Sequence, residues 1–267
     1  MTANTSGPVL WSVDARGVAT VTLNRPEVNN AYNGELIDGV LRALDALGAH
    51  KGLRAVVLKG NGKHFQAGAD LKWIDSVRTS APDDNLRVSR ATADAVQRLN
   101  FAPIPTIALV QGGCFGGGTG IVAACDVVIA ADNALFSIAE VRWGLHAAII
   151  IPQLADAIGV RQLRRYALTG ERFGADEAFR IGLAHKVVPL AELEAEGTRM
   201  VEHVLANGPA AVSETKAWIL RSAWADLDAK EFTALVESHS AKRQSAEAAE
   251  GLASFAEKRA GNWTPKG

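Results

Sequence analysis

Strand-like and helix-like patterns alternate over the first 130 residues of the chain. Val9–Val13 and Val18–Leu23 are rich in β-branched residues, and the turn sequence between them predicts a hairpin. Residues 34–47 carry apolar side chains at helical spacing. The same patterns predict further strands over 53–59, 104–110 and 126–130, and further helices over 83–99 and 117–124. Strands joined by crossover helices indicate a largely parallel sheet with right-handed connections.

From residue 149 onward the pattern becomes almost wholly helical. It predicts one strand over 184–188 and helices over 154–168, 175–181, 190–206, 209–223 and 230–260. We therefore divide the chain into an α/β core, residues 1–190, and a C-terminal helical region, residues 191–267. We expect the C-terminal region to pack on the core and on a neighbouring subunit rather than to form an independent domain.

Composition and charge narrow the class of protein. Of 267 residues, 48% are hydrophobic and 21% charged, and 28 basic side chains nearly balance 29 acidic ones. This balance disfavours nucleic acid as a partner and supplies no polybasic block for an anionic membrane. No apolar run approaches the ~20 residues of a membrane span, and the first residues lack a signal-peptide pattern. With two cysteines, too few for a disulfide framework, we expect a soluble cytoplasmic protein.

Two glycine-containing segments carry the candidate chemistry, and each follows a predicted strand and precedes a helix. They are HFQAGADL at 64–71 and QGGCFGGGTGI at 111–121. Glycine allows a positive φ and a close approach of a ligand to the backbone, and helix N-termini offer unpaired N–H groups. Neither segment matches a dinucleotide fingerprint, a P-loop or a nucleophile elbow. They are either tight packing turns or paired backbone donors that polarise a carbonyl oxygen.

The order of these segments resembles the crotonase, or enoyl-CoA hydratase/isomerase, family. The motifs that carry the resemblance are VTLNRPEVNNA (21–31), FQAGADLK (65–72), GGGTGIVAACD (116–126), FSIAEVRWG (136–144), LTGERF (168–173), the Gly-Leu pair within 178–188, and FAEKR (255–259). The resemblance implies an α/β fold built as a spiral of ββα units with a C-terminal helical trimerisation region. It also implies an acyl-CoA thioester as substrate, no separate cofactor or metal, and a homotrimer or a hexamer made of two trimers.

The resemblance assigns roles to individual positions. The backbone N–H groups of Ala69 and Gly117 form the oxyanion hole for the thioester oxygen, and Glu140 is the catalytic carboxylate. The positions that match substrate-binding residues of the family are Val28, Asn29, Ala67, Asp70, Leu71, Gly116, Trp143, Phe255 and Lys258.

The acid/base chemistry depends on Glu140 because the second carboxylate of typical hydratases is missing. That carboxylate lies three residues beyond the middle glycine of the Gly-Gly-Gly run, where this chain has Gly120. Without the family, the residues favour Glu140 as a solvated carboxylate that stabilises a helix N-terminus; the resemblance reverses this preference. Apolar neighbours such as Trp143 would raise its pKa toward a useful range. His146 is a second candidate to touch substrate, and Asp70 is interpreted as a helix cap.

These residues predict a hydro-lyase that adds water to a 2-enoyl-CoA. We expect the space left at Gly120 to favour a branched, carboxylated or aryl acyl group, and Gly120→Glu to restore a preference for short substrates. Two alternatives remain. A Δ3,Δ2-enoyl-CoA isomerase also needs one carboxylate, and a CoA-thioester-binding protein with little catalysis needs none.

Overall fold

A seven-stranded sheet forms the centre of the molecule. The computed structural model describes residues 3–223 and 245–265, except the side chains of 255 and 256. The strands of this sheet lie in the order β1 (Ala3–Asn4), β2 (Val9–Val13), β3 (Val18–Leu23), β4 (Ala55–Gly60), β5 (Thr106–Val110), β7 (Val127–Ala131) and β10 (Lys186–Val188). β1, β2 and β3 pair antiparallel, and every later pair is parallel.

A smaller sheet of three strands stands beside the glycine segments. It contains β6 (Gly113–Phe115), β8 (Leu135–Ser137) and β9 (Phe173–Gly174). β6 pairs parallel with β8, with Phe115 opposite Ser137. The pairing therefore brings the Gly-Gly-Gly run and the segment that begins at Glu140 to the same end of this sheet.

Helices cover the central sheet. The α-helices are α1 (Gly34–Gly48), α2 (Leu71–Arg78), α3 (Pro82–Asn100), α4 (Gly117–Ala123), α5 (Ile151–Thr169), α6 (Ala175–Arg180), α7 (Leu193–Leu205), α8 (Pro209–Ala223) and α9 (Ala246–Ala256). Four 3₁₀ turns lie at Pro26–Val28, Glu140–Trp143, Ala148–Ile150 and Leu190–Glu192. None of the helices in the described ranges is both long and apolar enough to cross a bilayer.

Alternation along the strands divides the core between the two faces of the sheet. Leu58 and Val110 pack with Leu36 of α1 and Leu99 of α3. The neighbouring residues along each strand point to the opposite face of the sheet, where they pack against α7. This second cluster contains Val57, Ile107, Leu109, Leu193, Val201 and Leu205. This follows from the two-residue period of a strand, in which successive side chains point to opposite faces.

The predicted elements agree with the observed ones to within a few residues, apart from short pieces. The predicted helix over 230–260 is described as α9, and its residues 230–244 lie outside the described part. The helix expected to follow residues 64–71 is α2, with Asp70 as its cap. The strands β1, β6, β8 and β9 were not predicted, because two- and three-residue strands carry too few positions to show a period.

Candidate active site

Three chain segments meet where the oxyanion donors were expected. Tyr32 pairs with the loop that contains Ala69: its N–H donates to the Gly68 carbonyl at 2.9 Å, and its carbonyl accepts from the Asp70 N–H at 2.9 Å. In such a parallel bridge the Ala69 N–H points away from Tyr32. Within the described residues that N–H makes no hydrogen bond, so it is free to bind a substrate oxygen.

Gln66 joins this loop to the second glycine segment. Its N–H donates to the Gly113 carbonyl at 3.1 Å, and its carbonyl accepts from the Phe115 N–H at 2.9 Å. Its side-chain Oε1 accepts the Gly68 N–H at 3.0 Å, which fixes the orientation of the amide group. Gln66 is fully buried, and its Nε2 has no hydrogen-bond partner among the described residues. Phe65 and His64 also join the two segments: the Phe65 N–H donates to the Gln111 carbonyl at 2.8 Å, and Nδ1 of His64 accepts from the Gly113 N–H at 2.7 Å.

Gly117 is the first residue of α4, where a helix leaves its N–H groups unpaired. The residue before it, Gly116, has φ +53°, a conformation that side chains other than glycine rarely adopt. A Cβ added at Gly117 would lie 2.7 Å from the Tyr32 ring. Glycine is therefore required at position 116 for the backbone turn into α4, and at position 117 to leave room for the Tyr32 ring.

Glu140 lies directly against this turn. Its carboxylate Oε1 is 3.0 Å from the point where a Cβ on Gly116 would stand, and its Oε2 is buried without a hydrogen-bond partner among the described residues. Burial raises the pKa of the Glu140 carboxyl above its usual range. The alternative that Glu140 is a solvated surface carboxylate is therefore wrong. Trp143 is 62% exposed, so the burial does not depend on the indole that the sequence suggested.

A cavity of about 430 Å³ opens at these residues. Gly117, Glu140, Tyr32 and Gln66 line it at one part of the wall, together with Leu145 and His146. The rest of the lining is mostly apolar and comes from strands β3 and β4 and helices α1 and α3: Val21, Leu23, Leu36, Ile37, Val40, Val56, Leu58, Val96 and Leu99. This lining suits an apolar ligand, with Glu140 and the glycine turn at one part of the wall.

The space expected at Gly120 is absent. A Cβ at Gly120 would lie 2.1 Å from Cγ2 and 2.5 Å from Cβ of Ile150, which is buried. The room that the missing carboxylate leaves is thus filled by Ile150, not by the substrate. The expectation that this room admits bulk of the acyl group is wrong, and Gly120→Glu would not fit into the chain as it stands.

The remaining substrate-binding candidates fall into two groups. Asn29 and Ala67 are neighbours, because the Ala67 N–H donates to the Asn29 carbonyl at 3.0 Å. Asp70 caps α2 and accepts from the Lys72 N–H at 3.2 Å and the Trp73 N–H at 3.5 Å, which confirms the helix-cap interpretation.

The apolar side chains of Val28 and Leu71, which are next to Asn29 and Asp70 in the sequence, are exposed. Lys258 follows α9 and makes no ion pair within the described residues, and the Phe255 side chain lies outside the described part. The structure thus gathers Val28, Asn29, Ala67, Asp70 and Leu71 in one area.

Sequence reasoning missed Tyr32, Gln66 and Ile150. The first two lie beside or within the recognised motifs, and their signal was a polar side chain next to glycine positions. Ile150 had no signal, since its neighbour Gly120 is far away in the sequence. Among the described residues, no three His, Cys, Asp or Glu side chains gather as metal ligands.

Comparison with known proteins places this geometry in one family. The enoyl-CoA hydratase/isomerase family model matches residues 14–266. A hydroxycinnamoyl-CoA hydratase-lyase of Pseudomonas fluorescens is 34% identical over 75% of this chain and 74% of its own. A peroxisomal Δ(3,5)-Δ(2,4)-dienoyl-CoA isomerase of Arabidopsis thaliana is 31% identical over 75% of this chain and 76% of its own.

The fold agrees with solved structures as well. The crystal structure of an enoyl-CoA hydratase from Shewanella pealeana superposes with a TM-score of 0.91 at 32% identity, over 96% of each chain. The fold is therefore the crotonase fold. Because the family model matches nearly the whole sequence and the solved structures match the fold, the chain belongs to the enoyl-CoA hydratase/isomerase family.

Proposed function

We propose that this enzyme is a hydro-lyase that adds water across the double bond of a 2-enoyl-CoA. The observation that carries the proposal is the buried Glu140 carboxylate, which faces the Gly116–Gly117 turn at the mouth of an apolar cavity. A carboxyl with a raised pKa exchanges protons near neutral pH more readily than a solvated one.

The reaction follows from these positions. The Glu140 carboxylate accepts a proton from water as the water oxygen bonds to the β-carbon of the enoyl group. The electrons of the double bond move toward the thioester oxygen, where the N–H groups of Ala69 and Gly117 stabilise the negative charge. Such preorganised donors contribute about 10²–10³ in rate each. Glu140 then returns the proton to the α-carbon, which completes the addition of water.

The lining of the cavity supports an apolar acyl group, either aryl or branched alkyl. Most of its side chains are aliphatic, and the cation among them, Arg78, pairs with Asp75 on the exposed side of α2. A carboxylate at the far end of the acyl group would lose its hydration without gaining a buried partner. The likeness to a hydroxycinnamoyl-CoA hydratase-lyase supports the aryl choice. Of the three classes expected from sequence, the carboxylated one has the least support.

The test compares three thioesters with the same enzyme preparation. Cinnamoyl-CoA, crotonyl-CoA and a glutaconyl-type CoA are followed by the loss of enoyl absorbance. We expect kcat/KM for cinnamoyl-CoA to exceed that for crotonyl-CoA by about tenfold or more, since the larger group fills the apolar cavity. Equal values for all three would contradict the proposed substrate class, and no hydration of any would contradict the reaction.

An isomerase is the second candidate, because Glu140 is the one carboxylate among the described residues that line the cavity, and a double-bond shift needs one base. The likeness to a dienoyl-CoA isomerase supports it. Incubation with a 3-enoyl-CoA separates the two: conversion to the 2-enoyl-CoA without further hydration would favour the isomerase. Since the chain is an enzyme of this family, the interpretation as a thioester-binding protein with little catalysis has lost its support.

A further inference from the structure

A hydratase needs a group that orients the attacking water, and Glu140 alone accepts only one of its hydrogen bonds. Position 120 does not supply a second group, because Ile150 fills the volume that a side chain there would need. The orienting group must therefore come from another element that faces the same cavity.

Tyr32 is a polar side chain of the cavity wall that lies beside the same turn as Glu140. Its ring edge lies over Gly117: Cε1 is 2.7 Å and Cζ, which carries the hydroxyl, is 3.5 Å from the point where a Cβ on Gly117 would stand. Glu140 Oε1 stands 3.0 Å from the corresponding point on Gly116. The phenol and the carboxylate thus flank two consecutive residues of one turn.

Two contacts hold Tyr32 in place, one through its backbone and one through its ring. The Tyr32 backbone pairs with the loop on both sides of Ala69. The ring packs edge to face against Trp73, with centroids 5.8 Å apart. Its hydroxyl makes no hydrogen bond to any residue in the described ranges, although it lines the cavity. A phenol held this firmly, and left without a protein partner, is available to a molecule in the cavity.

The electrostatics agree with this position. Burial, with a contribution from the negative charge of Glu140, raises the pKa of Tyr32 to about 12. The phenol therefore stays protonated at neutral pH, and it acts as a hydrogen-bond donor rather than as a base.

We propose that Tyr32 is a second catalytic residue, whose hydroxyl donates a hydrogen bond to the water that Glu140 deprotonates. The inference rests on the proposed hydratase function. Tyr32 keeps its own proton throughout: the water gives one proton to Glu140, its oxygen bonds to the β-carbon, and the phenol releases the resulting hydroxyl group of the product.

The test is Tyr32→Phe, which removes the hydroxyl and keeps the ring. Two reactions are measured: hydration of the enoyl-CoA, and exchange of the α-proton of the matching saturated acyl-CoA into D₂O. The exchange needs Glu140 and the oxyanion hole but adds no water to carbon. We expect hydration kcat to fall by about 10²-fold, within the range of acid-base groups, while the exchange rate stays within about threefold. Tyr166→Phe is the matched control, since the Tyr166 hydroxyl donates to Glu177 instead of facing the cavity.

The other outcomes separate the failures. Unchanged hydration in Tyr32→Phe would overturn the role of Tyr32 and leave the hydratase proposal standing. An equal loss of hydration and exchange would mean that the phenol acts on the thioester oxygen, which also overturns it. A wild-type enzyme that catalyses exchange but never hydrates would refute the hydratase function itself, and with it the role of Tyr32.

Discussion

In the described part of the chain, Oε2 of Glu140 is buried and accepts no hydrogen bond, a costly state that a structural role would not require. Glu140→Gln keeps the shape and removes the proton exchange. We expect kcat to fall by about 10²–10⁴-fold, with the affinity for a CoA thioester nearly unchanged because the backbone donors remain. Steady-state kinetics and product-inhibition constants give both values. A loss in kcat of less than about tenfold would redirect the search for the base to His146, which lines the same cavity.

The raised pKa of Glu140 also predicts how stability depends on pH. Because the folded state binds this proton more tightly than the unfolded chain, the contribution of Glu140 to stability is largest in acid. It is lost as pH rises through the pKa of the folded state. Glu140→Gln has no such dependence, so its stability relative to wild type should increase from about pH 4 to pH 8.

Urea unfolding at several pH values measures this difference. A difference between Glu140→Gln and wild type that is constant with pH would refute the effect of burial.

Gly120 and Ile150 form a coupled pair across the cavity wall. Gly120→Ala should destabilise the fold by about 1–3 kcal/mol, the usual cost of overpacking, because the added Cβ overlaps Ile150. In an Ile150→Gly background the same change should cost much less. A double-mutant cycle by thermal or urea unfolding gives the coupling energy, and additive effects would contradict the proposed overlap.

At the scale of single residues, the positions of the candidate site residues could be predicted from the sequence, but the side chains that pack around them could not. Ala69 and Gly117 belong to glycine-marked turns, and Glu140 follows a recognisable motif, so local sequence points to them. The filling of position 120 by Ile150 depends on two segments that meet only in the folded chain. The role of Gln66 as a bridge likewise comes from its pairing with β6, which no local pattern contains.

At the scale of elements, helices α1 and α3 were predictable because each buries one face and repeats its period several times. Strands β2 to β5 were predictable as short runs of β-branched and apolar residues. The pairing of β6 with β8 was not. These strands have three residues each, and their register is set by contacts along the glycine segment. That pairing nevertheless positions Glu140, so the least predictable element is the one on which the site depends.

Helix α8 is attached to the core through a buried ion pair. Lys216 is 8% exposed; its Nζ lies 2.6 Å from Oδ2 of Asp126 and 3.1 Å from the Ile104 carbonyl oxygen. The same Asp126 oxygen also accepts from the backbone N–H and the hydroxyl of Thr106 at 2.7 and 2.8 Å. The Asp126 carboxylate thus joins the C-terminal region to Thr106, the first residue of β5.

Lys216→Met should therefore lower the free energy of unfolding by about 3 kcal/mol, because it leaves a partly buried carboxylate without its cation. Lys216→Met combined with Asp126→Asn should recover part of this loss, since no uncompensated charge remains. Urea unfolding of the two variants measures both effects. If Asp126→Asn lowered the free energy of unfolding further in the Lys216→Met background, the effects of the two substitutions would be independent. The ion pair between Lys216 and Asp126 would then not explain the loss.

At the scale of the whole molecule, the C-terminal region has apolar side chains left at the surface. Ile219 of α8 is 63% exposed and Leu252 of α9 is 71% exposed. Other positions that we expect to belong to the same surface, Trp224, Phe232 and Leu235, lie outside the described residues, whereas Leu220 of α8 is half-buried. Single exposed apolar residues are common on monomers, so the mass of the protein in solution decides whether these side chains are covered.

We expect these side chains to pack between subunits in a trimer, or in a hexamer of two trimers. Light scattering at micromolar concentration should then give three or six times the mass of 28.2 kDa. Ile219→Asp combined with Leu252→Asp should shift the mass toward the monomer, because burying two carboxylates at an apolar contact costs several kcal/mol. Leu86→Asp, at a residue on α3 that is 62% exposed, is the matched control and should leave the mass unchanged. A wild-type chain that stays monomeric would refute the assembly, and an unaffected double variant would place its contacts elsewhere on the surface.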